Sequence, residues 1–222
     1  MQYHVSFDID LKRNPYKGRF IAIEGIDGSG KTTQVEKVVA ALQKQGKEVL
    51  ATKEPWDEGL IGHMIRSEIL SGKKKISPYA LQYLFVADRA DHLGKVIIPA
   101  LKMGKIVITD RFFWSAIPYG VLDRGGDDYN SKQVILAAYS ILSFYHQFVV
   151  PDYTFYLDVC VPTAVERIAH KQHKEEIYEK EEKLKKIVLG YQWLLKEFPK
   201  EFVVIDGEKS IVAITEEIVS QL

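Results

Sequence analysis

The sequence predicts an α/β protein built on a mostly parallel, doubly wound sheet. Two observations carry this. Short apolar runs alternate with segments of helical periodicity, the pattern of parallel strands joined by crossover helices. The first of these runs also ends in a glycine-rich turn that opens directly into the first helix. Composition agrees: 46% of the 222 residues are hydrophobic and 27% are charged, the mixture of an ordinary globular protein. A chain of this length buries roughly 70–75% of its extended surface on folding and needs no staples.

Residues 1–18 are polar, contain Asn14-Pro15, end at Gly18 and read as an extension ahead of the fold. The first strand is Arg19–Glu24. Val35, Val38, Val39 and Leu42 then fall at i, i+3, i+4 and i+7, one face of a helix that Gly46 stops. Glu48–Thr52 is a second short strand, ended ahead of Pro55. A helix over Leu60–Leu70 stops at Ser71-Gly72. Ser77-Pro78 starts a long helix reaching about Met103, in which Gly94 and Pro99 predict a kink or a break. Lys105–Thr109 is the third strand, 127–148 a helix and Tyr153–Asp158 the fourth strand. Pro162 opens the next helix in its first turn. Ile177, Leu184, Val188, Tyr191, Leu195 and Phe198 stripe another helix, Phe202–Ile205 is the fifth strand, and a last helix runs from about Ser210.

Charge and cysteine content exclude several function classes. Lys plus Arg and Asp plus Glu both number 30, so the net charge is zero. A binder of polymeric nucleic acid would carry a basic excess. No run of about 18 apolar residues predicts a membrane span. The N-terminus lacks the apolar segment of a secretory signal, so the chain reads as cytoplasmic. The single cysteine, Cys160, rules out an intrachain disulfide framework and reads as a small buried residue. His170 and His173 share a helical face, but no third ligand lies near, so zinc is not expected.

The chemistry begins at Gly25-Ile26-Asp27-Gly28-Ser29-Gly30-Lys31-Thr32, which fits G-x-x-x-x-G-K-[ST] between a strand and a helix. Glycines let successive N–H groups converge on phosphate oxygens at a helix N-terminus. Lys31 then reaches the outer phosphates, and the Thr32 hydroxyl can ligate Mg²⁺. The motif points to a nucleoside triphosphate and leaves GTPases, transport ATPases and small-molecule kinases open. A small GTPase would need an N-K-x-D base-reading motif, which the chain lacks. Asp110 follows the third strand as a strand-end acid, with Arg111 placing a cation beside the phosphates.

Gly25–Thr33, Lys53-Glu54-Pro55, Gly62–Arg66, Leu84–Ala90, Asp110-Arg111-Phe112, Ser115–Tyr119 and Pro151-Asp152-Tyr153 resemble, in order, the motifs of the thymidylate kinase family. The resemblance implies a three-layer P-loop kinase fold, with a five-stranded mostly parallel sheet flanked by helices and a short lid near 169–177. The kinase domain would be 19–222. It implies Mg²⁺-dependent transfer of the ATP γ-phosphoryl group to a pyrimidine deoxynucleoside monophosphate, dTMP, in a homodimer.

By the same resemblance, Gly25, Asp27, Gly28, Ser29, Gly30, Lys31, Thr32 and Thr33 hold ATP, and Thr32 and Asp110 hold the metal. Asp27, Glu54, Pro55, Arg66, Phe85, Arg89, Arg111, Ser115 and Tyr119 hold the acceptor. Phe85 stacks on the base, Arg89 reads its edge, Arg66 and Arg111 take phosphates, and Tyr119 crowds the sugar 2′ position. Lys31, Asp110 and Arg111 act in catalysis. Read alone, Phe85 and Arg89 are equally a core aromatic beside a solvated arginine. Likewise Asp27 is a turn-favouring acid, Arg66 a solvent-facing helix residue and Tyr119 a packing residue.

Three departures stand out. Trp56 stands where the family has glycine, which predicts an altered loop. Ala116 stands where a polar residue often meets the base. The lid segment after Arg167 carries lysines and histidines but no arginine, and the P-loop has none either. Lys171 and Lys174 are therefore the candidate replacement cations, or else a solvated helix start. A kinase of another deoxynucleotide or deoxynucleoside remains an alternative, as does a non-catalytic nucleotide-binding regulatory protein.

Overall fold

The computed structural model describes residue 6, residues 8–170 and residues 178–222. The candidate lid cations Lys171 and Lys174, with His173 and Ile177, lie outside the described residues. Five parallel strands form the sheet: β1 (Phe20–Glu24), β2 (Val49–Lys53), β3 (Ile106–Asp110), β4 (Tyr153–Asp158) and β5 (Val203–Asp206). Their order is β2-β3-β1-β4-β5, with β1 in the middle. All five residues of β1 are buried, as a central parallel strand covered on both faces must be. Each expected strand is present, displaced by at most one residue.

One face of the sheet is covered by α1 (Lys31–Lys44) and α9 (Ile211–Ser220), which pack with Ile21, Ile23, Ile108, Phe155 and Leu157. The larger core lies on the other face. It takes α2 (Leu60–Met64), α3 (Pro78–His92), α4 (Ile98–Lys102), α5 (Ala116–Asp123), α6 (Lys132–Leu142) and α8 (Glu181–Glu197). Its centre is Trp114, fully buried against Phe113, Phe198 and Phe202. The remaining helix, α7 (Val161–Ala169), follows β4. No helix among the described residues is long and apolar enough to cross a membrane.

The helices differ from expectation in informative places. The Leu60–Leu70 segment is α2 followed without a break by a π-turn over Ile65–Leu70. Gly94 falls in a second π-turn, Leu93–Ile97, which joins α3 to α4 without a break, and Pro99 follows it as the second residue of α4. The expected 127–148 helix is shorter. Ser131 caps α6 by accepting from the Val134 N–H, and beyond Leu142 the chain runs in turns. Ser140 and Ser143 donate to carbonyls three residues back, competing with helix continuation.

Helix α5 was not expected at all, because Pro118 and Gly120 disguise it; Pro118 sits in its first turn, where no partner for its nitrogen is needed. Cys160 is exposed, contrary to expectation. It is the residue that starts α7, at the surface, with Sγ 3.2 Å from Thr163 Oγ1. Residues 12–14 are tied to the body. Lys12 bridges to Val149, Arg13 pairs with Glu201 at 2.5 Å, and Asn14 donates to Asp152 at 2.8 Å.

Candidate active site

The glycine-rich loop leaves the end of β1 and turns into α1. Gly28 has φ 81°, and a Cβ there would lie 2.3 Å from the Ala164 carbonyl oxygen of α7, so both backbone and space demand glycine. Lys31 is buried, and its Nζ donates to the Ile26 carbonyl at 2.8 Å. Burial and the nearby Arg111 charge lower its pKa to about 8. Thr32 Oγ1 donates to Asp110 Oδ2 at 2.5 Å, joining the first turn of α1 to the last residue of β3.

Arg111 follows directly. It is the one described non-glycine residue with positive φ, 70°, a conformation that costs roughly 1–2 kcal/mol. Its N–H is fixed on the Ile23 carbonyl, and its guanidinium bonds to Gly25 O (2.9 Å), Asp27 Oδ1 (2.5 Å), Tyr119 OH (2.7 Å) and Ser115 Oγ (3.1 Å). Burial opposes ionisation of Asp27, but Arg111 and Lys31 overcome it and hold the carboxyl at about 2. Beneath them, Glu24 is fully buried and accepts from Phe112 N, Ser115 Oγ and Tyr191 OH. Burial pushes its pKa up against the opposing pull of Arg111.

A second buried network lies past β2. Glu54 bonds Arg89 Nε and approaches His92 Nδ1 at 3.3 Å, and the other ring nitrogen of His92 meets Thr52 Oγ1 at 2.7 Å. Arg89 also donates to Tyr145 OH at 2.8 Å and lies 5.6 Å from the Phe85 ring centroid. Phe85, Arg89 and His92 are spaced by four and three along α3, so they share one face. Trp56 stacks on His92 with ring centroids 5.3 Å apart. Its φ is not positive, so it strains no turn, and it serves as a lid on this network. Arg66 pairs with Asp57 at 2.5 Å, and Lys53 takes the second oxygen of the same carboxylate.

The two networks face one cavity of about 710 Å³, within the usual range for small-ligand sites. Its wall runs from Lys31, Thr32 and Asp110 at one end to Phe85 and Arg89 at the other.

The family model described as thymidylate kinase matches residues 23–218. The chain belongs to the thymidylate kinase family. It is 36% identical over 204 residues to the thymidylate kinase of Thermoanaerobacter sp. (strain X514), covering 91% of this chain and 96% of that protein. It is 37% identical over 210 residues to the probable thymidylate kinase of Thermococcus gammatolerans, covering 91% and 94%. A similar match, 36% over 203 residues, joins it to the thymidylate kinase of Kosmotoga olearia.

Of the site residues expected for a thymidylate kinase, Asp27, Gly28, Gly30, Lys31, Thr32, Thr33, Glu54, Pro55, Arg66, Phe85, Arg89, Asp110, Arg111, Ser115 and Tyr119 line the cavity. Gly25 and Ser29 are in the loop but off that wall. Gly25 offers its carbonyl to Arg111, and Ser29 is 1% exposed. Sequence reasoning missed Glu24, His92, Tyr191 and Gln82. Two of these had a signal: Glu24 is an acid ending a buried apolar strand, and His92 extends the Phe85–Arg89 face. It also missed Arg167, which donates to the Gly207 carbonyl at 3.0 Å and reaches the Ser29 carbonyl at 3.5 Å.

Asp88, beside Arg89, generates a pH test. Its Oδ2 accepts the Trp56 N–H at 3.0 Å, and Oδ1 has no partner among the described residues. Burial raises its pKa to about 6, whereas an unfolded aspartate titrates near 3.9. The native state therefore holds the proton through this interval, and the stability it confers is lost as pH rises from about 4 through about 6. Asp88→Asn should accordingly gain Tm over the parent at pH 7–8 and lose that gain near pH 4, in thermal melts across this range. Parallel Tm curves for the two proteins would refute the assignment.

Proposed function

We infer that the chain transfers the γ-phosphoryl group of ATP to dTMP, giving dTDP. Family membership over residues 23–218 supports this, and the observation that carries it is one continuous cavity joining the Lys31 loop to the Phe85–Arg89 face. In this reading Gly25–Thr33 cradles the donor phosphates. Phe85 stacks on the pyrimidine, Arg89 donates to its edge, and Glu54 positions Arg89. Arg66 and Arg111 bind acceptor phosphate. Tyr119, fixed between Arg111 and Asp27, crowds the sugar 2′ position and favours deoxyribose. Asp27 accepts from the acceptor 3′-hydroxyl.

The oxygens of Thr32 and Asp110, hard donors side by side, fit Mg²⁺. When bound, Mg²⁺ neutralises charge on the donor phosphates. The remainder of the chemistry is positioning and charge. Lys31, buried at the loop with a lowered pKa of about 8, places its charge opposite the phosphates, which hold it in that form. Arg111 is already desolvated and oriented, so it meets the developing charge with little reorganisation. Lys171 and Lys174 remain proposed as lid cations on the sequence alone. We take 19–222 as the kinase unit, 1–18 as an extension, and a cytoplasmic setting as the one that supplies ATP.

A homodimer is also proposed. Tyr79 and Tyr83 are 59% and 60% exposed one turn apart on α3, and Leu136 on α6 is 70% exposed. Light scattering should give twice the chain mass, and Tyr83→Glu should give the monomer.

The deciding experiment is ADP release measured with ATP against all deoxy- and ribonucleoside monophosphates. The expected result is acceptor-dependent release, fastest with dTMP and abolished in folded Lys31→Ala. Acceptor-independent release, or near-normal turnover by that variant, would sink the reading. Phe85→Ala should weaken dTMP binding by about 1–3 kcal/mol, the scale of base–aromatic stacking, and leave ATP affinity unchanged. Equal loss for both nucleotides would make Phe85 a core residue.

A further inference from the structure

We propose that Gln82 is a base-reading residue whose carboxamide pairs with the N3–H and an adjacent carbonyl of the acceptor pyrimidine. The inference rests on the dTMP kinase reading and deepens it. Gln82 is 0% exposed, and neither Oε1 nor Nε2 has a hydrogen-bond partner among the described residues. A buried amide left unpaired forfeits its hydration without replacement, so such a group calls for an explanation. Gln82 lines the cavity, three residues before Phe85 and seven before Arg89, on the same face of α3. Space has been left for it: a Cβ on Gly120 of α5 would lie 2.6 Å from its Cδ and 2.7 Å from Nε2.

Elimination points the same way. The Watson–Crick edge of thymine presents acceptor, donor, acceptor: O4, N3–H and O2. A guanidinium only donates, so Arg89 can serve a carbonyl but cannot accept from N3–H. Its bonds to Glu54 and Tyr145 leave further N–H groups for that carbonyl. The other acceptors at this end are engaged. Glu54 holds Arg89 and His92, and Ser115 Oγ is bound to Glu24, Arg111 and Tyr191. Ala116 and Leu70 offer none. Among the described cavity-lining residues, Gln82 alone has buried side-chain polar atoms without partners. Its side-by-side acceptor and donor match N3–H and its neighbouring carbonyl. The amide alone can flip to suit cytosine, but donor-only Arg89 then faces the N4 amino group. The pair together selects thymine or uracil.

The test is a cycle between Gln82→Met and N3-methylation of dTMP, read as kcat, KM and ligand-free Tm. Methionine keeps length and bulk and removes both polar atoms. The expected result is a dTMP KM raised about 10- to 100-fold, the scale of one lost buried pairing. ATP KM should be unchanged, and the ligand-free Tm equal or higher, because an orphaned amide has been removed. N3-methylation should penalise the parent strongly and Gln82→Met much less. The same penalty in both proteins, or an unchanged dTMP KM with lowered Tm, overturns the proposal and makes Gln82 a packing residue. Should Gln82→Met not fold, Gln82→Asn, which withdraws the amide by one methylene, carries the same cycle. A parent that releases no ADP with dTMP overturns the function itself and this inference with it. An active parent without coupling overturns this inference alone.

Discussion

The guanidinium of Arg111 is the point on which the site depends. It stands just beyond β3, in a backbone conformation that side chains avoid, and bonds to groups from the glycine-rich loop, from Ser115 and α5, and, more distantly, from α8 through Tyr191 at 3.4 Å. Two carboxylates answer its charge. Asp27 pairs with it directly, and Glu24 lies beneath, satisfied by a backbone N–H and two hydroxyls. In a low-dielectric interior a full set of partners is stable, whereas a missing one leaves a buried charge costing about 3–5 kcal/mol. The positions of loop, sheet end, α5 and α8 are thereby locked to one another. The strain at Arg111 persists because its surroundings over-determine it.

The Glu54 network repeats this logic at the opposite end of the cavity. Glu54 is 4% exposed and carries Arg89 on one oxygen and His92 on the other. Thr52, Tyr145 and the Trp56 ring complete its enclosure. Arg89 is thus pre-oriented by a carboxylate and an aromatic hydroxyl, so little side-chain entropy remains to be lost when a ligand arrives. Trp56, which breaks the family's usual loop sequence, has found a packing role on His92.

Stability and site are in tension along this cavity. Lys31 and Asp88 are held with unfavourable charge states, and Gln82 is held with no partner among the described residues. The two hydrophobic cores on either side of the sheet support these costs. The larger one, built around Trp114, packs against Phe85 at one side of the cavity. A cavity whose polar groups are buried and positioned in advance is suited to a reaction that needs orientation and charge more than covalent chemistry.

The sequence alone determined the strands and the phosphate loop, through local signals: apolar runs bounded by glycine and a fixed motif spacing. The acceptor side of the cavity wall was legible only through the family resemblance, because Phe85 and Arg89 read by themselves fit a core aromatic beside a solvated arginine. It did not determine α5, because Pro118 and Gly120 look like breakers until their position in the helix and against Gln82 is known. It misplaced Cys160, whose burial depends on where α7 meets the surface. Nor did it reveal that Glu24, Ser115 and Tyr191, up to 167 residues apart, share hydrogen bonds. It likewise did not show that the polar atoms of Gln82 lack partners among the described residues beside the cavity. Such facts belong to tertiary structure, because desolvation and pairing depend on which distant groups the fold brings within about 3 Å of one another.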